Sequence, residues 1–125
     1  MVVSAYDRER GFYMKNKAIR VIITLFAIML TARGGVYHNP TTGLTEKYYN
    51  RPMGRVVKLA QNMGIPAEYW ERDDGVKMFG PWVIVAAHPS VTRYTFVETS
   101  RGTGIVLDYH TMSNEKDMID LAVTW

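Results

Sequence analysis

From Val76 onward the chain is cut by glycine and proline into short, apolar, β-prone runs at strand-length intervals, and this punctuation limits the possible folds more than any other feature. Asp73-Asp74-Gly75 reads as a hairpin turn into a strand over residues 76–79, and Gly80-Pro81 then breaks the chain ahead of the apolar run 82–87. Residues 94–99 predict another strand. Gly102-Thr103-Gly104 reads as a turn, because glycine supplies the positive φ of tight hairpins, and Ile105-Val106-Leu107 as a short strand after it. Residues 119–125 resume an apolar, β-prone pattern. Upstream, Asn39-Pro40-Thr41-Thr42-Gly43 is a turn and residues 44–49 alternate as a strand, while residues 67–72 fit more than one conformation.

One segment breaks the β pattern. After Arg51-Pro52, the residues Met53, Val56, Val57, Ala60 and Met63 recur at the spacing of a one-sided helix, and Gly64 with Pro66 supplies a stop. A helix over about residues 53–63 is expected, with this methionine and valine stripe in the core. A chain of 125 residues makes one domain with a real apolar core. The expected class is mainly β with one short helix, and strands every 8–12 residues suggest a small barrel.

The N-terminal third reads differently. Lys15, Lys17 and Arg20 precede an apolar run over residues 21–30 interrupted by Thr24, and Leu30-Thr31-Ala32 offers a small residue for cleavage. That is the pattern of a secretory leader over about residues 14–32, too short for the roughly 20 residues of a spanning helix. Met14 opens a leader of normal form, so residues 1–13 lie upstream of a second plausible start. A buried core helix or strand and an uncleaved membrane anchor are the competing readings. The expected division is a leader over residues 1–32 and a single β-barrel domain over residues 33–125, secreted or held in the cell envelope. The formal charge of +3 lies in the leader, since lysine plus arginine and aspartate plus glutamate number 10 each from Arg33 onward. A nucleic-acid footprint, which needs basic residues concentrated on the folded domain, is not expected. Cysteine is absent, which excludes disulfides and thiolate metal sites and leaves the compartment undetermined.

Asp108 is the foremost chemical candidate. It follows the apolar run 105–107, and a carboxylate at a strand end beside apolar side chains loses hydration, which prepares it as a proton donor. Asp120 stands near the start of the closing strand. The competing reading is structural, because aspartates at strand ends commonly cap turns.

The segments WVIVAAHPSV, VETSRGTGIVLD and IDLAVTW together resemble the double-psi β-barrel group that includes the three-aspartate (3D) domain, rare lipoprotein A and the barrel of lytic transglycosylase A. With YYNRPM, the helix and DDGVKMFGPWVIVAA, the chain is similar to small secreted proteins of Gram-positive bacteria and their phages that carry such a barrel. The resemblance covers about residues 36–125 and is most specific from Trp82. It implies a six-stranded double-psi β-barrel that binds peptidoglycan and, in active members, cleaves its glycan strands as a lytic transglycosylase. Asp108 and Asp120 fall on two of the family's aspartates, the first as acid and base, the second tuning or holding it. His110 and Tyr109 beside the acid, with His88 and Glu98, are the candidate substrate-binding residues.

Three departures stand out. His88 replaces the aspartate expected before Pro89, Thr92-Arg93-Tyr94-Thr95 replaces a Pro-x-Gly-Thr turn, and Tyr109-His110 replaces Thr-Gly after Asp108. These changes favour the alternative of a noncatalytic peptidoglycan- or polysaccharide-binding module, and a structural protein without wall affinity is a third reading. No metal site is expected, because His38, His88 and His110 show no ligand spacing, and no cofactor is expected. Gly102-Thr103-Gly104 lacks the helix and lysine of a phosphate loop. Glu98 alternates with Val97 and also reads as facing solvent or a cross-strand partner. Tyr48, Tyr49, Tyr69, Trp70 and Trp82 are assigned mostly to the core, with sugar stacking as the other use. A monomer is expected.

Overall fold

The computed structural model describes residues 35–110 and 115–125. The expected leader over residues 1–32 lies outside them. The described chain is mainly β, with one short helix and an open sheet. In chain order the elements are β1 (Tyr37–His38), β2 (Thr45–Tyr49), α1 (Gly54–Asn62), β3 (Tyr69–Glu71), β4 (Lys77–Phe79), β5 (Trp82–Ala87), β6 (Phe96–Thr99), β7 (Gly102–Tyr109) and β8 (Met118–Ala122). The sheet path runs β1-β2-β8-β5-β4-β3, with β7 along the other edge of β5 and β6 beyond it. Two pairs are parallel, β2 with β8 and β5 with β7.

β5 is the central strand, and all six of its residues are buried. Its side chains alternate between two cores. Trp82 and Ile84 join Ile105, Leu107 and the helix residues Met53, Val57 and Ala60 on one face. Val83, Val85 and Ala87 join Val76, Met78, Val106, Leu121 and Val123 on the other. No helix among the described residues covers this second cluster. Tyr48 on β2 and Trp70 on β3 also pack on it, and Glu46 on β2 bonds Ser100 between β6 and β7, well separated on the sheet path, so the sheet curls around it.

The helix ends as the glycine stop predicts. The Gly64 N–H donates to Gln61 O at 3.0 Å and the Ile65 N–H to Ala60 O at 3.2 Å, with Gly64 at φ +97°. This double closure swings Ile65, only 3% exposed, into the core. Met63, assigned to the core from its spacing, is instead 69% exposed, because the chain leaves helical geometry there and Ile65 takes the apolar position.

The segment Gly102-Thr103-Gly104 also departs from expectation. It lies within β7, where Thr103 pairs with Glu98 and Gly104 with Val97, and the turn is the two-residue link Ser100-Arg101. Gly104 is required by packing rather than by turning, since a β-carbon there would stand 2.6 Å from Val85 Cγ2. The Asp73-Asp74-Gly75 hairpin is as expected, with the Gly75 N–H donating to Arg72 O at 2.8 Å.

Two buried polar assemblies brace the sheet. Asp74 accepts from Arg72 Nε and Nη2 at 3.0 and 2.9 Å and from Arg101 Nη1 at 3.1 Å, and Arg72 also donates to Arg101 O at 2.9 Å. Glu46, fully buried on β2, accepts from Asn39 Nδ2 and from the Ser100 N–H and hydroxyl, which ties β2 to the β6–β7 turn.

Candidate functional site

Asp108 owes its position to an irregularity in β7. Val85 pairs with Val106, but the next residue, Ala86, pairs with Asp108, so Leu107 is an extra residue on β7. Such a bulge re-aims the side chain that follows it. Leu107 fills the helix-side core, and Asp108 follows it toward Tyr49, which packs on the same core. Ala86 also pairs, across its other edge, with Asp120, and Asp120 pairs in turn with Lys47 on β2. Residues opposite one another in register share a face, so Lys47, Asp120, Ala86 and Asp108 form one row across β2, β8, β5 and β7. Two strand spacings separate the aspartates, on the order of 10 Å between their α-carbons.

The two carboxyls have different surroundings. Asp108 Oδ1 accepts the Tyr109 N–H at 2.9 Å. Its Oδ2 receives the Tyr49 hydroxyl at 3.4 Å and faces Arg51 Nη1 at 3.5 Å, and its side chain is 15% exposed. Burial, followed by the nearby carboxylates Asp108 and Asp120, pushes the Tyr49 phenol well above its usual range, so it remains a proton-bearing donor at neutral pH. Burial likewise raises the Asp120 carboxyl above the ordinary aspartate value, against the opposing influence of His110 and Lys47. Lys77 fixes the approach of Arg51: its ammonium, in a residue 6% exposed, donates to Asn50 Oδ1 and Arg51 O, each at 2.8 Å.

Asp108 opens on a cleft of about 400 Å³ walled by Arg51, Arg55, Arg93 and Tyr109, with Pro52, Val56 and Leu59 contributing the apolar side. The Arg93 guanidinium lies over the Tyr109 ring, 4.5 Å from its centre, a cation–π stack that fixes both groups. The cleft therefore joins one carboxylate, three guanidinium groups and an aromatic face.

The other expected site residues distribute unevenly. Tyr109 lines the cleft with Asp108. Asp120 shares the face of Asp108 but is not among the cleft walls. His110 is buried, with Nε2 3.0 Å from Met118 O and its ring 6.1 Å from that of His88, and His88 Nδ1 meets the Ser90 hydroxyl at 2.8 Å. Glu98 is exposed on β6 and accepts from Thr103 Oγ1 at 2.9 Å. Five residues of β7 separate Thr103 from Asp108, a rise of roughly 16 Å, which sets Glu98 apart from the cleft.

Arg51, Arg55 and Arg93 escaped the sequence reading as site residues, and Tyr49 entered it only among the aromatics assigned mostly to the core. Arg51 and Tyr49 both stand in YYNRPM, and nothing in the sequence aligns them with residue 108. Comparison with known protein families, characterised proteins and solved structures finds no match, so the reading of this site rests on its own geometry.

Proposed function

We propose that the protein is a cell-wall-directed double-psi β-barrel that cleaves peptidoglycan glycan strands by lytic transglycosylase chemistry, acting outside the cytoplasm. The observation carrying this reading is the placement of Asp108: a largely buried carboxyl, held by a phenol donor, opening on a cleft of sugar-binding size. Clefts of a few hundred cubic ångströms are usual for small-ligand sites. The barrel reading draws support from the curl of the sheet around the second core and from the two parallel strand pairs.

In this reaction Asp108 as the acid gives its proton to the glycosidic oxygen as the bond from that oxygen to the anomeric carbon breaks. The resulting carboxylate then takes the proton of the muramoyl 6-hydroxyl, whose oxygen bonds to the anomeric carbon and closes a 1,6-anhydro ring. The proton is returned to Asp108 and no water is consumed, so one carboxyl suffices where glycoside hydrolysis generally needs two. Tyr49 positions the carboxyl, and Tyr109 with the Arg93 guanidinium stacked on it walls the cleft beside it.

Purified cell wall incubated with the wild-type protein is expected to release anhydro-muropeptides detectable by mass spectrometry, and the Asp108→Asn protein none. Equal release by both would overturn the assignment. The second reading, a wall-binding module that does not cut, is favoured by the engagement of Asp108 with Arg51 and by the position of Asp120 outside the cleft walls. Wall binding without anhydro products would establish it.

A further inference from the structure

The cleft carries more positive charge than its carboxylate can match. Asp108 meets Arg51, while Arg55 and Arg93 have no ion pair among the described residues. Arg93 Nε is buried and has no hydrogen-bond partner there, an uncommon condition for a buried donor of a charged group. Its guanidinium is nevertheless held in place by the Tyr109 ring.

A second observation points the same way. Pro52, Arg55 and Val56, at the start of α1, line the cleft. The N-cap residue Met53 makes no side-chain capping bond, and the first turn holds no acidic residue. Helix starts ordinarily carry a side-chain acceptor or an acidic residue, because the first N–H groups lack partners and the dipole is positive there. Here Arg55 adds positive charge to that end. Two guanidinium groups without an ion pair among the described residues thus face one opening beside α1, where an oxyanion would relieve their charge.

We propose that the cleft beside Asp108 is a subsite for a carboxylate borne by the ligand, with Arg55 and Arg93 as its charged donors. A singly charged carboxylate fits better than a phosphate dianion, because Asp108 stands in the same wall and repels the dianion more strongly. As to the ligand, the inference rests on the proposed wall-directed function and narrows it: the preferred glycan carries a lactyl or peptide carboxylate, and a neutral chitin-type chain binds weakly.

Calorimetric titration with a muramic-acid-containing tetrasaccharide and with neutral chitotetraose tests this, using Asp108→Asn protein so that no strand is cut. The acidic sugar should bind about tenfold more tightly at low salt, as charge-assisted hydrogen bonds imply. The preference should disappear when Arg55→Gln and Arg93→Gln are added. Equal binding of the two sugars, or a preference that survives both changes, would overturn the subsite while leaving the wall-directed reading intact. Thermal unfolding of the wild-type protein in acetate separates the other failure. Stabilisation that vanishes in the double arginine variant, with neither sugar bound, removes the wall reading and keeps the carboxylate subsite. Inorganic phosphate stabilising more than acetate at equal concentration and ionic strength would overturn the carboxylate preference. Arg55 is exposed on the helix, so the Arg55→Gln protein alone supplies a folded control, expected to lose part of the preference.

Discussion

Asp74 and Asp108 both sit beside arginines, yet their surroundings differ in every other respect. Asp74 has a fully enclosed side chain, both oxygens are bonded, and its partners Arg72 and Arg101 are almost as deeply buried. Asp108 makes longer contacts with an Arg51 side chain that is 61% exposed, in a cleft with arginine to spare. An enclosed assembly, its carboxylate bonded on both oxygens by buried guanidinium groups, holds a fold together. An open one with mismatched charge is organised toward a ligand.

The largest test of this contrast is removal of the Asp74 charge. Asp74→Asn leaves two buried guanidinium groups facing an amide and is expected to destabilise the fold by about 3–5 kcal/mol, measured by denaturant unfolding. Asp108→Asn, by contrast, should change stability by no more than about 1 kcal/mol, the scale of exposed ion pairs. A larger loss at Asp108 than at Asp74 would invert the comparison.

Acid separates a third carboxyl, Asp120, from Asp74. Burial alone would raise the Asp74 carboxyl, but Arg72 and Arg101 outweigh it and hold the group below its ordinary value of 3.8. Its contribution is therefore complete above 3.8 and is lost as pH falls through the lower folded value. Asp120 has the opposite sign. Its folded value lies above 3.8, so the charged form opposes folding at neutral pH, and that penalty is relieved as pH falls through the raised value. Asp120→Asn should stabilise the protein at pH 7, and the gain should shrink on mild acidification. Stability curves for the two variants that shift in the same direction with pH would refute this assignment.

Smaller effects are expected around Asp108. Tyr49→Phe removes a phenol donor and should cost about 1 kcal/mol or less, while lowering turnover on cell wall more than it changes affinity. The matching conservative change, Arg51→Lys, keeps the charge and should move stability by only a few tenths of a kcal/mol. A turnover loss with Tyr49→Phe that merely follows loss of folded protein would reduce Tyr49 to a packing residue.

Local sequence signals marked the fold wherever a single stretch decides the outcome. The run 82–87 is β5 to the residue, because continuous apolar character between Gly80-Pro81 and His88-Pro89 admits only a buried strand. The helix was legible from its stripe and its Gly64 stop. Gly102 has the positive φ expected of the turn, at +117°, whereas Gly104 misled, because one residue type serves both turning and close packing and only the neighbouring Val85 distinguishes them. Asp108 and Asp120 could be named as candidates, but their common row depends on the register of three strands and on the extra residue Leu107. The arginines of the cleft come from α1, the segment before it and the β5–β6 connection. No spacing rule joins positions 51, 55 and 93.

The placement of β8 has a consequence for how the chain acquires this shape. β8 follows every other strand in sequence, yet it fits between β2 and β5, with Thr45 opposite Met118 on one edge and Val85 opposite Leu121 on the other. Until β8 arrives, that edge of β2 and the Val85–Ala86 stretch of β5 have no strand to bond, and the row holding Lys47, Asp120 and Asp108 does not exist. Such long-range pairing slows folding and leaves strand edges open to other chains in the interval. A nascent chain would therefore gain the common row of Asp108 and Asp120 and its protection from aggregation in the same step.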